Sequence, residues 1–163
     1  MTLRLTARTA FTALIAAFLL HNAEEAITIC RHPVENLFPS IRPVSCSQFL
    51  VAVTILSAAG LAAFIIAMRT KKNQIYHFIS TGLAAVLLLN VLIPHLLVAF
   101  YTMHYTPGLV TAILMNLPLS LIVLSKNRPH YKSTTQFFKP IFIFLILGYL
   151  IFAITMGLAK IFA

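Results

Sequence analysis

His21, Glu24 and Glu25 stand within five residues of one another in the stretch FLLHNAEEAIT. On a helix, positions i, i+3 and i+4 share a face, so the imidazole and both carboxylates project in similar directions, with Thr28 one turn further on. Such a cluster can move protons or hold a cation. The chain before it, AFTALIAAFLL, is apolar, and the protein has only three acidic residues, the third being Glu35. An ionised side chain at the centre of a bilayer costs about 2.5–3.5 kcal/mol on insertion scales and calls for a partner or a wet cavity. Two adjacent carboxylates also repel. Protonation of one, pairing with protonated His21 or His95, or a divalent cation would each relieve that repulsion.

A second polar group lies in LLLNVLIPHLLVAFYTMH, which carries Asn90 and His95. Pro94 cannot donate to the Asn90 carbonyl, which predicts a kink and a free acceptor. Further along come Thr111 and Asn116, followed by Pro118, a second helix breaker. Two imidazoles and two carboxylates form a ligand set suited to zinc or iron, and an H-x-x-E pair on one helix with a His from another resembles the sites built inside helical bundles. His21, Glu24, Glu25 and His95 are therefore the candidate ligands of a divalent transition metal. Glu24 and Glu25 are also the candidate catalytic acid and base. Asn90, Thr111 and Asn116 are expected to bind substrate or support the ligands. The remaining histidines, His32, His77, His104 and His130, fall in or beside loops and are expected to be solvated or interfacial.

Those residues can meet only if helices carry them across a membrane. Of 163 residues 60% are hydrophobic and 9% charged, against about 25% charged in soluble domains. Five apolar stretches, roughly 8–29, 48–68, 77–101, 107–125 and 138–160, each approach the ~20 helical residues that a span requires. The expected fold is all-α: an integral membrane helical bundle of five transmembrane helices, forming a single domain over 1–163 with an external loop at about 30–47. Nine of the 12 Lys and Arg residues fall at the N-terminus and in the second and fourth loops, whereas Arg31, Arg42 and Lys160 lie on the other side. The positive-inside rule then puts the N-terminus in the cytoplasm and the C-terminus outside. At ~1.5 Å per residue His21 lies roughly 20 Å across, in the outer half of the membrane. A bacterial inner membrane, crossed several times, is the expected location. The formal charge of +9 follows from this topology and from contact with anionic headgroups, and no nucleic-acid-binding module is present.

Cys30 and Cys46 are the only cysteines and bracket the loop CRHPVENLFPSIRPVSC, whose Pro33, Pro39 and Pro43 oppose a regular helix. In an oxidising compartment they would pair and staple the first two spans; the alternative is two unpaired thiols at helix ends. There is no CxxC pair to suggest exchange chemistry. Residues 1–23 have the outline of a signal peptide, but cleavage after Ala23 would place His21 where a small residue is required. No internal repeat supports the inverted symmetry of secondary transporters. P-loop, Rossmann and nucleophile-elbow patterns are absent, which argues against nucleotide-driven chemistry and serine hydrolysis.

HNAEE matches the motif of the HXXEE family of small bacterial multi-span membrane proteins, and NVLIPH followed by YTPGLVTAILMNLP resembles that family's later polar signature. The resemblance covers most of the chain. It implies functional weight at His21, Glu24 and Glu25, and then at Asn90, His95, Pro107 and Gly108, without supplying a reaction. The leading expectation is a membrane-embedded metal-dependent enzyme, a hydrolase acting on a lipid or apolar ester or amide near the outer leaflet. The alternatives are a proton- or metal-linked transporter or sensor, and a non-catalytic membrane protein whose polar network fixes helix packing. Oligomeric state is not encoded in any of these features.

Overall fold

The computed structural model describes residues 6–31 and 45–162, with side chains to residue 158. The expected loop at about 30–47 therefore lies largely outside the described residues, as do His32, Glu35 and the three loop prolines. Five helices are long and apolar enough to cross a membrane: α1 (Ala7–Thr28), α2 (Cys46–Arg69), α3 (Asn73–Thr102), α4 (Leu109–His130) and α5 (Thr134–Phe162). No strand occurs among the described residues. The protein is thus an all-helical, multi-span membrane protein.

Local chemistry sets the helix ends. The Thr6 hydroxyl accepts the Thr9 N–H at 3.1 Å to open α1. At α2, Ser45 and Gln48 cap each other's backbone reciprocally at 3.2 Å. α3 and α5 each begin four residues before their apolar stretches, because the polar turns at Asn73 and Thr134 are already helical. Cys30 and Cys46 are joined by a disulfide with Cα atoms 5.4 Å apart, which ties the end of α1 to the start of α2.

α1 lies at the centre, against α2, α3 and α4, while α5 packs on α2 and α3 at the periphery. Phe11, Leu14 and Ile15 of α1 fill the core together with Tyr76, Leu87 and Val123. The α3–α5 contact depends on Gly82: a Cβ there would stand 2.3 Å from the Phe144 ring. No membrane water competes for backbone groups, so close van der Waals fit of this kind is what holds spans together.

Both proline expectations need correction in form. α3 widens into a π-helical turn at Val91–Leu97 around Pro94. α4 does the same at Ala112–Asn116, so that Pro118 falls in the first turn of the following α-helical stretch, where a missing N–H is tolerated, and the span continues instead of breaking. The two π turns pack against each other beside the end of α1. Turns of this type are frequent at functional sites.

Candidate metal centre at the disulfide end of the bundle

The motif HNAEE occupies the last turns of α1, and each of its polar residues is directed to a different neighbour. His21 is fully buried. Its Nδ1 lies 3.0 Å from the Gly108 carbonyl and 3.1 Å from Thr111 Oγ1. A carbonyl can only accept, so Nδ1 carries the proton and the Nε2 lone pair points into the bundle. There Nε2 meets the Asn90 amide nitrogen at 3.2 Å and Glu25 Oε1 at 3.7 Å.

His95, brought in by the π turn of α3, faces the same point. Its Nε2 lies 3.2 Å from the same Asn90 nitrogen and 3.4 Å from Glu25 Oε1. The two rings meet edge to face, with centroids 4.6 Å apart. The Asn90 amide, with two N–H groups, thus serves two imidazole acceptors. One ligand atom from each of His21, Glu25 and His95 lies within 4.8 Å of the others. Ligand atoms of a tetrahedral zinc site stand roughly 3.3 Å apart, given bond lengths of about 2.0–2.1 Å. The two His–Glu separations are close to that edge already.

Of the two glutamates only Glu25 stands in this group. The Glu24 carboxylate turns to the start of α4, accepting the Thr111 N–H at 2.9 Å, the Thr111 hydroxyl at 2.6 Å and the Val110 N–H at 3.3 Å. The Tyr105 hydroxyl donates to it at 2.6 Å. These are orphan N–H groups at a helix N-terminus, and an anion supplied by another helix satisfies them and complements the dipole. With four donors aimed at it, Glu24 is poorly placed to accept a further proton. Tyr105 lies in the connection between α3 and α4, where partial burial first, and its bond to Glu24 second, push its phenol above the usual range and keep it a donor.

Asn22 donates to Ser57 of α2 at 2.7 Å and so fixes the rotation of α1. Gly108 has φ +80°, and a Cβ there would come within 2.7 Å of His21 Cε1 and of Glu25 Cγ. Only glycine combines that backbone with that approach. Among the predicted supporting residues, Asn90 and Thr111 touch the cluster directly. Asn116 does not: it is buried deeper on α4, and both atoms of its amide lack a hydrogen-bond partner among the described residues. Reasoning from the sequence passed over Tyr105 and Ser57, which have no distinguishing pattern.

A second polar network closes the opposite end of the bundle. Asn127 donates to Ser80 at 2.8 Å and to Thr81 at 3.1 Å, while its carbonyl faces His77 Nδ1 at 3.0 Å. His77 stacks on the exposed His130 ring at 3.8 Å, so these two histidines do lie at the bundle end, but His77 is engaged with its neighbours. The Tyr131 hydroxyl donates to the His77 carbonyl at 2.9 Å, and burial raises its phenol above the ordinary range.

No solved structure matches this chain. The chain is similar to the Bacillus subtilis (strain 168) protein YrkK, described as uncharacterised, with 27% identity over 108 residues covering 66% of this chain and 68% of that protein. A family model described as "protein of unknown function with HXXEE motif" matches residues 12–123. That region holds His21, Glu24, Glu25, Asn90, His95, Gly108 and Thr111, and ends before α5 begins. Matched over more than half its length and through the residues that build the polar centre, the chain belongs to the HXXEE family.

Proposed function

We propose that His21, Glu25 and His95 hold a divalent transition metal, zinc or iron, and that the protein is a membrane-embedded metal-dependent enzyme of the hydrolase class. The observation that carries this reading is the convergence of two imidazole Nε2 atoms and one carboxylate oxygen within 4.8 Å, with the His21 tautomer set by the Gly108 carbonyl. Three protein ligands leave a position for water, as catalytic sites do and closed structural sites do not. A bound ion would make that water acidic enough to lose a proton near neutral pH. Glu25, whose side chain retains 16% exposure, would take that proton through its second oxygen, and the Asn90 amide, whose N–H groups lie against both Nε2 lone pairs, would turn aside to release them to the ion. Glu24 contributes by positioning, since it fixes the α4 turn that carries Gly108 and Thr111.

The charge distribution supports a cytoplasmic N-terminus in a bacterial inner membrane, which puts this centre near the outer leaflet. The substrate class that suits that depth is a lipid or another apolar ester or amide. The reading is tested with purified protein in nanodiscs, loaded with zinc or ferrous iron and given a panel of fluorogenic acyl esters and amides. Hydrolysis that is lost on chelation, regained on metal addition and at least about a hundredfold weaker in Glu25→Gln is expected. Metal-loaded protein that hydrolyses no member of the panel, or activity indifferent to chelation and to Glu25→Gln, would remove the hydrolase assignment.

A further inference from the structure

Between the metal centre and the Asn127 network, α4 carries two more polar side chains on the same stripe. Asn116, Ser120, Val123 and Asn127 follow one another at four, three and four residues, the spacing of a single helix face, and all four are buried. Asn116 and Ser120 are also unpartnered: Asn116 Nδ2 and Oδ1, and Ser120 Oγ, make no hydrogen bond among the described residues. Asn116 is 1% exposed and Ser120 0%.

The register between α3 and α4 locates these atoms. Asn127 is tied to Ser80 and Thr81 at one end, and His21 bridges Thr111 and Asn90 at the other. Counting along the antiparallel pair from the Asn127 tie puts Ser120 level with Leu87. Asn116 stands one turn before Ser120, at the end of the α4 π turn that packs against the π turn of α3.

A primary amide and a hydroxyl buried inside a membrane bundle have no solvent to turn to, and buried polar groups without protein partners are where internal water resides. We propose that the Asn116–Ser120 face is a water-binding site inside the bundle. Asn116 offers two donors and a carbonyl, and Ser120 one donor and an acceptor, enough for waters with two or more partners each. The inference stands apart from the metal reading, because Asn116 and Ser120 are not ligands.

Hydroxyl-radical labelling by X-ray radiolysis oxidises side chains next to bound water, including those closed to bulk solvent, and can be applied to the protein in nanodiscs. Leu87, level with Ser120 on α3, and Val123, one turn from it on α4, are 6% and 1% exposed and should be oxidised in the wild type. In Asn116→Leu their labelling should fall at least about fivefold as the water loses its partners, with the exposed Met103 labelled as before. Ser120→Ala, a smaller change, is read in parallel, so that misfolding of the first variant leaves the test standing; it should lower the Val123 signal. Leu87 and Val123 unlabelled in wild type at doses that saturate Met103, or labelled equally in wild type and a folded variant, would overturn the proposal.

Discussion

The Glu24 carboxylate receives both the backbone N–H and the hydroxyl of Thr111, at 2.9 and 2.6 Å, while Thr111 Oγ1 also lies 3.1 Å from His21 Nδ1. One residue of α4 is therefore held by the carboxylate and in turn abuts the imidazole three positions earlier in the motif. The two glutamates of HNAEE consequently have different duties, although they are adjacent in sequence. Glu24 anchors the turn that shapes the centre, and Glu25 belongs to the centre.

That division is testable by paired substitutions. Glu24→Gln keeps the shape but weakens charge-assisted bonds, each worth about 1.5–3 kcal/mol, so its melting temperature in detergent should fall clearly while bound metal is retained. Glu25→Gln should behave in the opposite way, with melting close to wild type and metal affinity reduced at least about tenfold. Equal metal loss in both variants would contradict the assignment.

Gly108→Ala should be worse than its size suggests. Alanine at φ +80° is disfavoured by about 1–2 kcal/mol, and its methyl would also push His21 and Glu25 apart. Lower thermal stability together with lost metal binding is expected by melting and metal analysis. Gly157→Ala, where an added Cβ meets nothing within 4 Å, is the control and should leave both unchanged.

The cystine joining Cys30 to Cys46 closes a separation of 16 residues, for which chain entropy gives about 3 kcal/mol of stabilisation. Unreduced membranes should show no alkylatable thiol, and Cys30→Ser/Cys46→Ser should unfold at lower temperature. Full alkylation of both cysteines without reductant would contradict the pairing.

Topology has its own measurement. The charge asymmetry and five spans predict that a reporter fused to the C-terminus is active as a periplasmic enzyme and silent as a cytoplasmic one. The reverse pattern would turn the bundle over and move the polar centre to the inner leaflet.

The spans were legible because a bilayer imposes a length and an apolar composition that few other structures share, and none of the five apolar stretches overruns its helix by more than two residues. Asn90 and His95 could be grouped with HNAEE because polar side chains are rare enough in this chain to be matched by depth. The division between Glu24 and Glu25 was not legible: neighbouring positions on a helix differ by about 100° in direction, and which one meets the α4 N-terminus depends on how α1 is rotated. Asn22 and Ser57 set that rotation, and neither residue has a local signature. Gly108 resembled ordinary turn punctuation, since its second duty, close approach to His21, exists only after the helices pack. The π turns were similarly hidden, because Pro94 and Pro118 announce a disturbed helix without specifying how it is absorbed.

The most direct test of the central claim is the metal content of protein purified without chelator or metal-affinity resin and then incubated with zinc, iron or manganese. The account predicts close to one ion per chain in wild type, at least about tenfold weaker binding in His21→Ala, His95→Ala and Glu25→Gln, and retention in Glu24→Gln, all measured on protein that remains folded and membrane-inserted. Well-folded wild type that stays metal-free, or binding that survives loss of both His21 and His95, would contradict it.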